Sequence, residues 1–451
     1  AAGAVQMGAR VVLLEGHKMG GDCLNYGCVP SKALLAAAAV AHGQGGNAAM
    51  GVAPGKNTVS YGKAKDFVAS VIDQIAPHDS VERFDGLGVM VIEGYGRFIS
   101  PTEVQAGERV ITARRIVIAT GSSPFVPPIP GLSEVPYYTN ETIFDLRARP
   151  DHLLIIGGGP IGMEMAQAHR RLGSKVTVIE GQQVFAKDDP ELAAILVQKL
   201  RDEGIEIVEG ALAQSVSGTG GDVTVSTSGG EFHGTHLLMA VGRKVNIERL
   251  NLEAAGIAFD RSGIKVDAGL RSSNRRVYTI GDVAGGLQFT HVAGYHAGVV
   301  IRSMLFGLPA KAKSDHIPWA TYTDPELAQV GLTEAQAREK YGARLEVARF
   351  DFGGSDRAIA TGKTTGLIKV MVVKGRPVGA SIVGAGAGEL IVIWAMAVAN
   401  NLKMSAIAAM VLPYPTMGEI NKRVAGAYFS PKLFESPFIR RLVGLVQRFI
   451  P

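Results

Sequence analysis

Cys23 and Cys28 are the only cysteines among 451 residues, and they lie five positions apart in Gly20-Gly21-Asp22-Cys23-Leu24-Asn25-Tyr26-Gly27-Cys28-Val29-Pro30-Ser31-Lys32. Two are too few for the disulfide framework of a secreted domain, and so close a pair points to redox chemistry in a reducing compartment, provisionally the cytoplasm. In a regular helix a Cys-x4-Cys spacing holds the two Cα atoms too far apart to bridge. The backbone is therefore expected to be distorted between them, which Gly27 and the flanking glycines permit. Pro30 suits a first helical turn, placing Cys28 at a helix N-terminus whose dipole favours a thiolate. A purely structural disulfide is disfavoured, because so small a loop adds little stability to so large a chain.

A second chemistry lies in Gly157-Gly158-Gly159-Pro160-Ile161-Gly162-Met163-Glu164. This Gly-x-Gly-x-x-Gly falls between a strand expected over Leu153–Ile156 and a helix over Ile161–Leu172, the context in which it cradles a pyrophosphate. Gly157 would make the tight turn, Gly159 would let backbone approach the phosphates, and Gly162 would allow close helix packing. The next strand, Lys175–Glu180, ends on an acid that can accept from both ribose hydroxyls and repel a 2′-phosphate, so NADH is favoured over NADPH. Lys175 or Lys187 could offset that acid, and Glu180 could also be a simple strand-end charge.

The elements around these segments repeat one plan. Ala1–Arg10 reads as a helix and Val11–Glu15 as a strand, the second half of a βαβ unit whose first strand and glycine turn are expected upstream of Ala1, outside this sequence. Helices are expected over Pro30–Ala41 and Lys63–Ile75, strands and hairpins over 88–120, and a proline-rich linker over Pro124–Pro136. A return segment over Val277–Ala284 follows the second unit, and an α+β region begins near Ile317. Two dinucleotide modules imply two nucleotides. The length suits several domains, and 57 glycines without a collagen period suit a chain rich in tight turns. The net charge of +5 is spread along the chain, which argues against nucleic-acid binding. The apolar run Leu390–Met410 is interrupted by Asn400, Asn401 and Lys403, so it reads as a buried helix, not a membrane span.

Together these segments resemble the class I pyridine nucleotide-disulfide oxidoreductases, the family of glutathione reductase, dihydrolipoamide dehydrogenase and mercuric reductase. Ala119-Thr120-Gly121, Gly157 to Glu164, Val241-Gly242-Arg243, Thr279-Ile280-Gly281-Asp282 and Tyr322-Thr323-Asp324-Pro325-Glu326 follow the family's order over nearly the whole chain. The resemblance implies an α/β fold with two Rossmann-like domains, for FAD and NAD, and a C-terminal α+β dimerisation domain. Its boundaries would be an FAD domain over 1–147, an NAD(P) domain over 148–268, a return to the FAD domain over 269–313 and an interface domain over 314–451. FAD would be held by Glu15, Lys32, Gly96, Thr120, Gly121, Ser122, Asp282, Gln288, Phe289, Thr290 and His291; the dinucleotide site would include Glu164 and Gly242. Lys32 and Glu164 would meet beside the flavin, Cys28 would be the charge-transfer thiol, and Cys23 the interchange thiol that meets the substrate. Hydride would pass from NAD(P)H through flavin to the disulfide. No resident metal site is expected.

One segment departs from the family pattern. Most of these reductases carry His-Pro-Thr-x-x-Glu, given across the dimer interface, with the histidine as acid and base for a dithiol. Here the segment is Tyr414-Pro415-Thr416-Met417-Gly418-Glu419. Ordinary pKa values of about 10 and about 6.5 make tyrosine a poor base at neutral pH, a difference of nearly 5 kcal/mol. A soft metal ion needs only thiolates and a phenolic oxygen, so a mercuric-reductase-like acceptor is favoured over a dihydrolipoamide-dehydrogenase-like one. The segment is similar to that of mercuric reductase, although the vicinal cysteine pair that receives Hg(II) near that enzyme's C-terminus has no counterpart in this sequence. A non-catalytic flavin- and NAD-binding redox sensor is the reading of another class. A homodimer is expected, since Tyr414 and Glu419 would serve the other subunit's cysteines. Tyr26, between the cysteines, fits either a role in access or one in packing. Phe438, Leu442, Leu445, Val446 and Phe449 form an apolar stripe beside Arg440, Arg441 and Arg448, and a packed terminal helix is favoured over contact with a membrane.

Overall fold

The computed structural model describes residues 1–55 and 58–450. It divides into two compact units, residues 1–183 with 204–313, and residues 184–203 with 314–451.

The first unit holds a four-stranded parallel sheet in the order Glu206–Val208, Lys175–Ile179, His152–Ile156, His236–Met239. Leu153, Leu154 and Ile155 are wholly buried, as expected of a parallel strand covered on both faces. Helix Pro160–Arg171 follows directly and buries Met163, Met165, Ala166 and Ala168, while Arg170 and Arg171 in its last turn complement the helix dipole. Helix Cys28–Gly43 packs against it and against helix Tyr61–Ile75. Gly21–Gly43 is apolar enough and long enough to cross a membrane by composition, but it is broken between the cysteines and Leu34 and Ala38 are completely buried in this unit.

The N-terminal module is present as Val12–Glu15 paired in parallel with Met90–Glu93, and as Ile116–Ile118 paired in parallel with Val277–Thr279. Gly96–Ser100, Glu103–Ala106 and Arg109–Thr112 form the expected hairpins. The stretch expected as a linker is instead built into the core. Ser122–Pro124 pairs with Arg243–Val245, and Leu132 and Val135 are buried in the same cluster as Leu154 and Met239. The prolines there break regular structure, yet Leu132 and Val135 still find cover, while Phe125 stays 43% exposed.

The second unit is a five-stranded antiparallel sheet ordered Pro318–Thr321, Glu326–Gly331, Arg376–Gly384, Leu367–Val373, Leu345–Asp351. Helix Ala387–Ala399 covers it, burying Leu390, Ile391 and Trp394, and ends where Asn400 and Asn401 interrupt the apolar run. The indole Nε1 of Trp394 donates to Asn421 Oδ1 at 2.6 Å, so the largest core side chain leaves no polar atom unmet. Buried Lys369 is met by Asp189 at 2.8 Å, Glu191 at 3.1 Å and Glu334 at 2.6 Å. The terminal helix Pro437–Phe449 does not pack as expected: it buries no residue, and Phe438 and Phe449 are 74% and 72% exposed. Its pattern is amphipathic as read, but the fold offers its apolar face no cover.

Candidate active site

The cysteine segment is two helices with a break, as the spacing requires. Gly21–Asn25 ends at Tyr26, Gly27 turns the chain at φ −124°, ψ −110°, and helix Cys28–Gly43 begins. A Cβ on Gly27 would lie 2.9 Å from Asp22 Oδ2 and 3.1 Å from Asp22 O, so a side chain there would force Asp22 to shift. Cys28 is the first residue of its helix and Pro30 lies within the first turn, where the missing N–H costs nothing.

Both thiols are free, Cys23 half-buried and Cys28 exposed, and they interact with each other. The bond from Cys23 lowers the Cys28 pKa; crowding by neighbouring atoms opposes this, while Thr290 Oγ1, 3.4 Å from Cys28 Sγ, and the charge of Lys32 assist it, bringing Cys28 to about 6. Cys23 is pushed far up, first by the same bond to Cys28 and then by burial. The pair therefore holds one thiolate, at Cys28, and one proton, at Cys23. Lys32 Nζ also meets Glu164 Oε2 at 2.8 Å, with the carboxylate buried, and Ser31 Oγ donates to the Cys28 carbonyl at 3.1 Å.

Behind the pair runs a bonded chain that sequence reading missed. Arg243 approaches Asp22 Oδ1 at 3.2 Å and donates to Ser122 O and Ser122 Oγ, each at 2.7 Å; Ser122 Oγ donates onward to Asp282 Oδ2 at 2.5 Å. Asn140 Nδ2 joins Asp22 Oδ1 at 3.0 Å to the Tyr26 carbonyl at 3.1 Å. Ser122 and Asp282 were expected at the flavin and Arg243 lies in the segment Val241-Gly242-Arg243, but nothing in the sequence signalled that these residues bond to one another or to Asp22. The Tyr26 ring stacks on His17, whose Nε2 lies 3.1 Å from its hydroxyl.

The residues expected at the first nucleotide lie as follows. Glu15 ends its strand and accepts from His17 N at 2.8 Å, and Gly96 meets Leu14 so closely that a Cβ there would come within 2.6 Å. Thr120 Oγ1 donates to Asn246 O at 2.7 Å, and Gly121 adopts φ +67° with open space beside it. Asp282 lies in the short 3-10 turn Gly281–Ala284, Gln288 is half-buried, Phe289 immediately precedes helix Thr290–Phe306, and His291 stacks on Phe289 at 5.3 Å.

At the glycine turn, Gly157 has φ +116° and a Cβ would reach Ala240 O at 2.3 Å, while a Cβ on Gly162 would reach Gly157 O at 2.0 Å. Gly159 and Gly242 instead face open space, with no atom within 4 Å of a Cβ position. Gly158 N donates to Glu180 Oε2 at 2.7 Å, so the acid at the strand end is held beside the turn, and Pro160 and Ile161 start the helix whose N–H groups point toward it. This arrangement fits a dinucleotide: Gly157 and Gly162 where backbone closes tightly, and open space beside Gly159 and Gly242.

Tyr414 and Glu419 belong to the second unit. Tyr414 is 69% exposed and its hydroxyl donates to Asp356 Oδ2 at 3.0 Å, a bond that raises its pKa above the usual phenol value. Glu419 begins helix Glu419–Phe434. Among the described residues no group of three or more His, Cys, Asp or Glu side chains comes together to hold a resident metal ion.

The chain belongs to the pyridine nucleotide-disulphide oxidoreductases: the family model matches residues 1–297, and that of the family's dimerisation domain matches 317–425. It is an FAD-dependent disulfide oxidoreductase that works with a pyridine nucleotide, and it carries the family's dimerisation domain, which supports a homodimer. Mercuric reductase of Bacillus cereus is 35% identical over 92% of this chain and 67% of its own length, and that of Acidithiobacillus ferrooxidans is 35% identical over 94% and 79%. Among solved structures, the Cu(II) complex of the HOCl-induced flavoprotein disulfide reductase RclA from Escherichia coli superposes with a TM-score of 0.84 at 29% identity, covering 94% of this chain and 95% of that one. LpdA from Mycobacterium tuberculosis gives 0.86 at 25% identity, covering 94% and 95%.

Proposed function

We propose that this enzyme reduces a soft metal ion presented on thiolates, Hg(II) by the wording of its curated relatives, and that it draws hydride from NADH in preference to NADPH. The observation that carries the acceptor is Tyr414. A dithiol substrate needs a base at that position, whereas this phenol donates to Asp356 and is held protonated well past neutral pH. A metal ion asks for no such base; it asks for thiolate ligands, and Cys28 is ionised at neutral pH.

The geometry supports a role for each residue of the cysteine pair and its surroundings. Cys23 and Cys28 are the redox pair: cleavage of their S–S bond by two electrons, with uptake of one proton, leaves a thiol at Cys23 and a thiolate at Cys28, the protonation pattern their environments favour. Thr290 and Lys32 stabilise the thiolate, and Glu164 orients Lys32 through its buried ion pair. Glu15, Gly96, Thr120, Gly121, Ser122, Asp282 and residues 288–291 would hold FAD, which when bound relays two electrons from nicotinamide to the cysteines. Gly157 to Gly162 and Gly242 would hold the pyridine nucleotide, with Glu180 set against a 2′-phosphate. Tyr414 and Glu419 would complete the cysteine site of the other subunit. The domains would run 1–147, 148–268, 269–313 and 314–451, and a cytoplasmic location suits the economy of two redox cysteines.

The test compares acceptors on the FAD-loaded dimer: NADH oxidation with Hg(II)-thiol complexes, NADH oxidation with glutathione disulfide, and NAD+ reduction by dihydrolipoamide. Hg(II) turnover should dominate, and Tyr414→His should shift activity toward the dithiol. Brisk dihydrolipoamide turnover with no Hg(II) reduction would overturn the proposal.

A further inference from the structure

The helix Pro437–Phe449 has no role in the chemistry above, and its composition is sharply divided. At 100° per residue, Leu445, Phe438, Phe449, Leu442, Val446, Ile439 and Val443 fall within one arc of about 160°. Arg440, Gln447, Gly444, Arg448 and Arg441 occupy the opposite side. No residue of the helix is buried, and Leu442, Leu445 and Val446 are exposed along with both phenylalanines. Exposing a continuous apolar face of this width is costly in water, so the helix is built for a second surface.

Its charge says which surface. Glu435 is the last acidic residue of the sequence; the three charges beyond it, Arg440, Arg441 and Arg448, are all positive. A face buried against protein works equally well with mixed charges on its solvent side, whereas a helix lying in a lipid interface places its polar side among headgroups, where anionic phosphates select cations. The long arginine stems on the opposite side can reach those phosphates while the ring and leucine side chains enter the acyl boundary. The helix also lies beyond residue 425, where the match to the dimerisation domain ends. Ser436 caps the helix by accepting from Ile439 N, and Pro437 starts it, so the element is specified to form without a packed face.

We propose that Pro437–Phe449 is a peripheral membrane anchor that docks the enzyme on an anionic lipid surface, with Phe438, Leu442, Leu445 and Phe449 inserted and Arg440, Arg441 and Arg448 on the headgroups. The test is flotation of the full-length, FAD-loaded protein with vesicles of phosphatidylcholine alone or mixed with phosphatidylglycerol. Binding should require phosphatidylglycerol and weaken with added salt. R440Q/R441Q/R448Q should lower the partition coefficient by about two orders of magnitude, and L442S/L445S/F449S should abolish binding with every arginine kept. NADH-linked turnover in solution should be unchanged in both variants, since the helix buries nothing. The proposal fails if the intact protein ignores phosphatidylglycerol vesicles or binds both vesicle types equally, or if the serine variant still binds. It fails equally if sedimentation shows that L442S/L445S/F449S dissociates an oligomer, which would make the face a contact between copies of this chain.

Discussion

Removing the Cys23 thiol should change the acidity of Cys28 more than any other single substitution around it. With Cys28 at about 6, roughly 90% of it is thiolate at neutral pH, whereas an ordinary cysteine at about 8.5 is ionised to only about 3%. The bond from Cys23 is the largest favourable contribution, ahead of Thr290 and the charge of Lys32, which is shared with Glu164 at 2.8 Å. Cys23→Ala should therefore move the midpoint most of the way back, and Thr290→Val should move it less. The assay is the rate of Cys28 alkylation against pH in the reduced enzyme, with the modified cysteine identified by peptide mapping, for the wild type, Cys23→Ala and Thr290→Val with Cys23 left unmodified. The rate at one pH misleads: a thiolate about 2.5 pKa units more basic is about tenfold more nucleophilic, so the roughly thirtyfold loss of thiolate shrinks to about threefold at neutral pH. The midpoint and the alkaline plateau are the diagnostic quantities, the first rising and the second growing about tenfold. A Cys23→Ala midpoint still near 6, or a larger displacement from Thr290→Val, would refute the assignment of Cys23 as the proton-holding partner. The same sign applies to catalysis: the thiolate is present above about 6 and lost below it, so metal-ion turnover should fall on the acid side of that value.

Three further outcomes are expected. Arg243→Gln breaks the link from Asp22 through Ser122 to Asp282 and should cost about 2 kcal/mol of stability while speeding alkylation of Cys23; Arg243→Lys, lacking the two-pronged donor, should recover little of it. Lys369→Ala strands buried Asp189 and should destabilise the second unit by about 3–5 kcal/mol, read by tryptophan fluorescence, since Trp319 and Trp394 both lie there. Fully buried His169 donates from Nδ1 to Met165 O at 2.8 Å and accepts at Nε2 from Tyr61 at 3.1 Å, and burial lowers its pKa to about 4. Its folded value lies below the ordinary 6.5, so its stability is complete above that value and drains by about 3 kcal/mol as pH falls to 4. Circular dichroism unfolding should show that loss in the wild type, and His169→Gln should show a flatter acid limb.

What the sequence alone determined is the chemistry carried by neighbours in the chain. The break at Gly27, the helix start at Cys28, and the turn from Gly157 to Gly162 are local geometry, and each residue type there excludes its alternatives over a few positions. Family resemblance extended this to the Lys32–Glu164 meeting, 132 residues apart. Tertiary structure alone decided which distant groups complete the site. Thr290 reaches Cys28 across 262 residues, and Arg243 reaches Ser122 across 121, contacts with no periodicity to announce them. It also decided burial, which composition cannot assign: the stretch over Pro124–Pro136 was folded into a core because Leu132 and Val135 found apolar neighbours, whereas the equally apolar stripe over 438–449 found none. A side-chain pattern specifies that a face must be covered; only the packing of the remaining chain determines whether the protein itself supplies the cover.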